Sequence, residues 1–482
     1  MAEKGSQGVS YTNVSSDYFD KRGLERHAGL LGLWGLGVAA VISGDFSGWN
    51  FGIAEAGWGG LLIATILVVI MYYGMIFSIS EMSAALPHTG GAYSFARSSM
   101  GPWGGFVTGF AETIAYVATT GVIVFFSASY ADSITNELFG LTMPVWVWWI
   151  ILYAIFLAVN ISGASLSFKF SIVVTFIALA VIALFAIMAI VDGKFSFDNL
   201  TNIPPEAGNS TFLPMGLWAV VAAMPFAMWF FLGIEELPLA AEEAHNPARD
   251  IPKAGLRGLG TLVITATLVL VLNPGITGAK ELSESGEPLL DGFRAILPNS
   301  DVAAILAAFA LIGLLASLQG IMFGYGRNIY SLSRAGYYPK VLSLTGSRKT
   351  PWAALIAGAV IGYAALLWAQ YGGESAGAVV LNIAVWGAVI AYFLQAVSYI
   401  LLKRNLPNLN RPYKSPVGVP GAAVAALLAL LIFVGQALNP ALTTAIQAIA
   451  IVYAIGLLGF GLFGRKKLVL SPEEQAAISG HK

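Results

Sequence analysis

An all-α polytopic membrane protein of twelve transmembrane helices is the fold class this sequence predicts, and three observations predict it. The first is composition. Of 482 residues, 57% are hydrophobic and 11% are charged, and the mean hydropathy is +0.76, whereas soluble domains carry about 25% charged residues. The second is pattern: apolar runs fill the chain almost end to end, each near the ~20 residues a helix needs to cross a bilayer. The third is the clustering of Lys and Arg at alternate ends of those runs. The runs are far too long for barrel strands, and lipid leaves the backbone no partner outside its own helix.

The spans are expected near 29–56, 58–86, 101–131, 143–162, 168–191, 214–243, 254–275, 300–333, 351–370, 377–402, 419–438 and 441–464. Residues 1–28 read as a hydrophilic tail without a cleavable signal pattern. Residues 29–402 read as a ten-helix core of two halves, about 29–191 and 214–402. A Pro- and basic-rich loop, 403–418, then leads to two extra helices within 419–464 and a short hydrophilic tail, 465–482. An even number of spans puts both ends on one side. If that side is the cytoplasm, only Lys194, Lys280 and Arg294 lie outside, and 25 − 3 = 22 basic residues lie inside, as the positive-inside rule requires. The expected setting is the plasma membrane with both termini cytoplasmic.

Several function classes drop out. Zero cysteines exclude disulfides, thiolate metal sites and Cys nucleophiles. A net charge of −1 supplies no basic face for nucleic acid. The histidines His27, His88, His245 and His481 all sit in loops or tails. No HExxH, GxSxG or P-loop occurs, so neither an enzyme nor a bound cofactor or metal is expected. A membrane sensor that binds an amine without moving it remains a rival, although the tails are short for a signalling domain. Oligomeric state is not encoded legibly.

Two spans carry interior breaks. The first contains "VISGDFSGWNFG" (41–52), where Ser43, Gly44 and Asp45 interrupt an uncharged helix. The sixth contains "MPFAMWFFLGIEELP" (224–238), with Pro225, Gly233, Glu235, Glu236 and Pro238. These occupy matching places in two halves that run oppositely through the membrane, which is the sequence pointer to a transporter's central site. Close helix packing explains most glycines equally well, but not an acid added to the break. An intramembrane carboxylate costs roughly 2.5–3.5 kcal/mol on insertion scales. Asp45 therefore either lines the substrate path or caps a helix near the outer surface.

The stretches "SEMSAALPHTGGAYSFARSSMGPWGGFVTGF" (80–110) and "WFFLGIEELPLAAEEAHNPARDIPKA" (229–254) resemble the amino acid–polyamine–organocation permeases, over nearly the whole chain. Within that superfamily, "VISGDFSGWNFG" and "GFAETIAYV" (109–117) are most similar to the ethanolamine permeases. The resemblance implies a LeuT-like inverted five-plus-five helix core with two added C-terminal helices, alternating access, and small amines or amino acids as substrates. Amino acid carriers of this fold offer bare glycine N–H groups to the substrate carboxylate. Asp45 departs from that pattern, since an anion there repels a carboxylate and attracts an ammonium. An amine without a carboxylate fits, and ethanolamine has that form; its hydroxyl needs a freed backbone group near Ser43 or Gly233. Neutral or cationic amino acids, choline and polyamines such as putrescine are the alternatives.

The remaining candidates follow from position. Trp229 and Phe231 at the second break, Tyr116 in mid span 3 and Trp49 beyond Asp45 suit cation–π contact worth about 0.5–2 kcal/mol, or plain packing. Glu112 sits roughly 16 Å into span 3 at helical rise. It suits a second cation contact, a proton-carrying group or a helix-holding hydrogen bond. Glu235 matches an acid that relatives use for proton coupling, so H⁺ is the expected coupling ion. The lysine that some relatives carry midway along the fifth helix is missing from "TFIALAVIALF" (175–185). Na⁺ stays open through Ser317 and Gln319, residues that pair helices equally well. Glu236 is expected to pair within its helix. Glu242, Glu243, Arg249 and Asp250 read either as a salt-linked cytoplasmic gate or as a solvated helix end.

Overall fold

The apolar runs all become helices in the computed structural model, which describes residues 3–4, 6–12, 14, 16–297, 300–371 and 376–470. Residues 471–482 of the expected C-terminal tail, His481 among them, lie outside the described residues. Among the described residues, ten helices are long and apolar enough to cross a membrane, and two shorter apolar ones, Leu30–Asp45 and Val145–Ile161, bring the set to twelve. The first span is Leu30–Val41 with a short 3-10 turn, Ile42–Asp45; it resumes at Phe51 and meets the second span at Gly57, inside one continuous helix Phe51–Ala85. The third span belongs to Gly91–Phe139, which breaks at Gly101. Val145–Ile161 and Ala164–Asp192 complete the first half.

The second half contains the sixth span, Ala219–Trp229 plus the 3-10 segment Ile234–Glu243, then Pro247–Thr277, Ser300–Arg334, Trp352–Tyr371 and Ala376–Asn405. Spans eleven and twelve are Gly418–Ala437 and Thr443–Leu462. The protein is an all-α polytopic membrane protein. The broken sixth span sits in the middle, with 94% of its central window buried, whereas the twelfth, at 11%, is a peripheral helix facing lipid. Large exposed side chains such as Phe176, Ile187, Ile264 and Leu427 cover the outside, the inverse of a soluble surface.

Three features depart from the expected boundaries. The third span runs to Phe139, eight residues past 131, because its late acids are satisfied: Asp132 accepts from the Met143 amide at 2.9 Å and from Trp148 Nε1 at 3.1 Å, and Glu137 pairs with Arg294. Two amphipathic helices, Ala279–Ser283 and Pro288–Ile296, lie between the seventh and eighth spans, burying Leu289, Leu290 and Phe293. The described parts of the two tails, which the sequence marks as hydrophilic, pack against each other and the core. Strands Glu3–Lys4 and Ser10–Tyr11 pair, the Thr12 amide donates to the Leu468 carbonyl at 2.7 Å, and Val469 donates to Ala335 at 2.9 Å. Val9 and Leu468 are buried against Tyr93, Phe106 and Tyr337, and Val469 is buried as well. Both ends of the chain thus meet on one face, beneath the end of the eighth span.

Candidate functional site

Side chains from three directions hold the first break. The Ser43 amide donates to Ser317 Oγ at 2.8 Å, and that hydroxyl donates to the Ala39 carbonyl at 2.7 Å, so the eighth span bridges the point where the helix unwinds. Tyr130 donates to the Phe46 carbonyl at 2.9 Å. Asn50 accepts from the Gly48 amide at 3.2 Å and donates to the Leu282 and Ser285 carbonyls at 2.7 and 2.8 Å. In the sixth span the α-helix stops at Trp229 and the chain reverses handedness at Gly233, φ +119°, a conformation that L side chains rarely adopt. The Gly233 amide donates to Glu235 Oε2 at 3.0 Å, so the freed donor is met by the acid two residues on.

The two breaks touch. A Cβ on Gly44 would run into the Trp229 carbonyl and come within 3.0 Å of Phe230 Cα. Backbone yields less readily than a side chain, and overpacking costs about 1–3 kcal/mol. Gly44→Ala is therefore expected to lower the thermal unfolding temperature of the detergent-purified protein, while Gly260→Ala, with nothing within 4 Å of its added carbon, should not lower it, since Ala is the better helix former. Equal melting of both variants would refute the contact.

Around this contact lies a group of buried acids. Glu112, 3% exposed, accepts from Asn328 Nδ2 at 3.1 Å and from the Tyr116 hydroxyl at 3.4 Å. Asn328 in turn accepts from Thr113 at 2.6 Å. Glu235 has Tyr116 and Tyr392 as neighbours, and Tyr392 shares a 3.0 Å hydroxyl contact with Tyr72. Tyr72 packs on Phe231, ring centroids 5.5 Å apart. Glu236 was expected to pair within its helix, but neither of its oxygens has a hydrogen-bond partner. The 3-10 turn aims it at the eighth span instead, where its carboxylate occupies the space a Cβ on Gly324 would need. Glu235, Glu112 and Arg327 are the charged groups that act on it.

Asp45 stands apart from those three glutamates. It is 1% exposed and both oxygens are unpartnered. The side chain against it is Thr265 of the seventh span, whose hydroxyl donates to the Leu262 carbonyl at 3.1 Å. Trp229 Nε1 is likewise buried without a partner, and Trp49 stacks on Phe230 at 5.6 Å. The structure therefore gathers Glu112, Tyr116, Phe231 and Glu235 on one side, puts Ser43, Gly44, Trp229 and Gly233 at the meeting of the breaks, and sets Asp45 toward the seventh span. Gln319 pairs with Asn160 at 2.8 Å, joining the eighth and fourth spans.

Two cations of the eighth span are the largest omission from the sequence reading. Arg327 grips Glu243 with Nε and Nη2 at 2.9 and 2.8 Å, both side chains 0% exposed, and lies over the Phe323 ring at 3.5 Å. Arg334 holds Glu242 at 2.8 and 2.5 Å, and Glu242 also accepts from the Thr89 amide at 3.3 Å. Backbone bonds close the same face: the His27 and Ala28 amides donate to the Glu243 carbonyl at 2.8 and 2.9 Å, and His245 donates to Ala28 at 2.8 Å. Of the four expected gate charges, Glu242 and Glu243 link helices, whereas the side chains of Arg249 and Asp250 bond each other, at 2.8 Å, among the described residues. The missed signal was "GYGRNIYSLSR" (324–334), where a charge within an apolar span demands a named partner.

The family model for amino acid permeases matches residues 28–470 of this chain. The chain is 29% identical over 345 residues to an uncharacterized transporter, R00093, of Rhizobium meliloti (strain 1021), covering 70% of this chain and 71% of the relative. It is 25% identical over 465 residues to a branched-chain amino acid permease of Bacillus subtilis (strain 168), covering 92% and 94%. Among solved structures it is similar to Mhp1, a nucleobase-cation-symport-1 family transporter in a closed conformation with bromovinylhydantoin bound. The TM-score is 0.51 at 16% identity, over 95% of this chain and 98% of the other. That likeness concerns the fold alone.

Proposed function

The chain belongs to the amino acid permease family, whose members are transporters and not enzymes, and we propose that within it this protein imports ethanolamine. Import proceeds by alternating access across the plasma membrane, with both termini cytoplasmic, and is coupled to protons through Glu235. The observation that carries the reading is the surplus of buried acid. Asp45, Glu112, Glu235 and Glu236 are all at most 3% exposed, and among the described residues the one cation that acts on them, Arg327, is already bound by Glu243. Buried charge persists only when paired, and a small ammonium supplies the missing pair. The breaks are also poor receptors for a carboxylate, since the Ser43 amide is engaged by Ser317 and the Gly233 amide by Glu235.

The Bacillus subtilis relative, a branched-chain amino acid permease by its name, favours a second reading in which the substrate is a zwitterionic amino acid. Flux into proteoliposomes separates the two, comparing ethanolamine, choline, putrescine, alanine and arginine under pH or sodium gradients. Ethanolamine accumulation driven by a pH gradient is the expected result; preferential alanine or arginine transport would overturn the proposal. Glu235→Gln is expected to retain downhill ethanolamine exchange while losing proton-driven accumulation by about tenfold or more, a size typical of a lost proton-transfer group. Undiminished accumulation in that variant would remove Glu235 from the coupling step.

A further inference from the structure

Outside the core, one basic groove is not absorbed by transport. It lies on the terminal face, where the seventh span begins and the loop after the tenth passes beside it. A cavity of about 400 Å³ there is lined by Asn246, Arg249, Pro252, Lys253, Leu256 and Tyr413, among others, a size within the usual range for a small ligand. Arg249, Lys253 and Arg257 recur every four residues along one helix face and are all exposed. Lys414 is exposed beside Tyr413. The acid within reach is Asp250, which binds Arg249 Nε at 2.8 Å and is otherwise turned inward. Two cations therefore line the groove, with Arg257 one turn further along the helix and Lys414 next to Tyr413, against one acid.

Four cations elsewhere on this face are matched. Glu81 takes Lys403 at 2.6 Å and Arg411 at 3.1 Å, Glu242 takes Arg334, and Glu243 takes Arg327. Lys253, Arg257 and Lys414 have no ion pair among the described residues. The helix face then changes character. Seven residues beyond Arg257, roughly 10 Å along the axis, Ile264 is 64% exposed on the same stripe. Cations that give way to exposed aliphatic surface over that distance match the step from phospholipid headgroup to acyl chain, and Tyr413 is a residue type favoured at that depth.

We propose that this groove binds an anionic phospholipid, its phosphate held by Arg249 and Lys253 and its acyl chains descending past Leu256 and Ile264. Charge complementarity selects the headgroup, and basic pockets between membrane helices are suited to such lipids. A zwitterionic lipid would bring its own cation into a groove already lined by Arg249 and Lys253.

The test titrates the full-length protein in neutral detergent with dioleoyl phosphatidylglycerol, dioleoyl phosphatidylcholine or inorganic phosphate, reading bound adducts by native mass spectrometry. Phosphatidylglycerol is expected to bind wild type about tenfold or more tightly than the Arg249→Gln, Lys253→Gln double variant, given the attraction of each basic residue for an anionic surface. Arg249→Lys should keep most of that affinity, which separates lost charge from lost fold. Phosphatidylcholine and phosphate should bind weakly to all forms. Equal phosphatidylglycerol binding in wild type and double variant would overturn the proposal. So would an equal loss on removing Lys194 and Lys280, which lie beyond the opposite ends of the spans, or tight binding of inorganic phosphate alone. No transport is measured, so this outcome is independent of the ethanolamine reading.

Discussion

Asp45→Asn is expected to reduce ethanolamine uptake by about 100-fold while leaving the protein as stable as wild type or more so. Removing one partner of a buried charge pair costs roughly 2–5 kcal/mol in binding, and about 2.7 kcal/mol is a hundredfold. The stability side has the opposite sign. Among the described residues no cation acts on Asp45, and Thr265 is the side chain against it, so amidation removes a buried uncompensated charge while an amide oxygen can keep the Thr265 contact. Initial uptake rates at matched protein density, read beside thermal unfolding in detergent, check both halves. Uptake that survives the change would exclude Asp45 as the substrate's counter-ion; a loss of uptake that merely follows a loss of stability would do the same.

Arg327 and Glu243 should behave in the reverse manner. Each side chain is 0% exposed and two bonds of 2.8–2.9 Å join them. Removing either member strands the other charge in a dry interior, which costs roughly 3–5 kcal/mol. Arg327→Met and Glu243→Gln are each expected to produce a strongly lowered unfolding temperature and little transport. The double variant should recover most of the stability, because no stranded charge remains, but not transport, because the face closed by this pair loses its latch. A double variant no more stable than the singles would show that the pair is not acting as a pair.

The helices were legible because lipid imposes one rule on every span, and the breaks were legible because Gly44 and Gly233 interrupt that rule beside acids. What each acid faces was not. Glu236 was assigned to its own helix, yet a 3-10 turn rather than an α-turn directs it to Gly324, and helical periodicity does not register that rotation. Asp45 was read with the acids and aromatics of the third and sixth spans, whereas its side-chain neighbour is Thr265 of the seventh span, a tertiary contact that sequence spacing does not encode. Arg327 and Arg334 escaped because they were weighed as topology signals at a helix end and not as partners for Glu243 and Glu242. The outer helices and the packed tails were hidden for a related reason: their apolar residues are few and scattered, and only tertiary contact gathers them.

The knot of strand and loop that joins Ser10 and Thr12 to Leu468 carries a consequence for biogenesis. Its two sides are 468 − 10 = 458 residues apart, so at about 5–20 residues per second a ribosome delivers the second side roughly 20–90 s after the first. Until then the leading segment waits without its mate while every helix is inserted. The contact beneath the eighth helix therefore cannot form until residue 468 has emerged, after the helices it lies under.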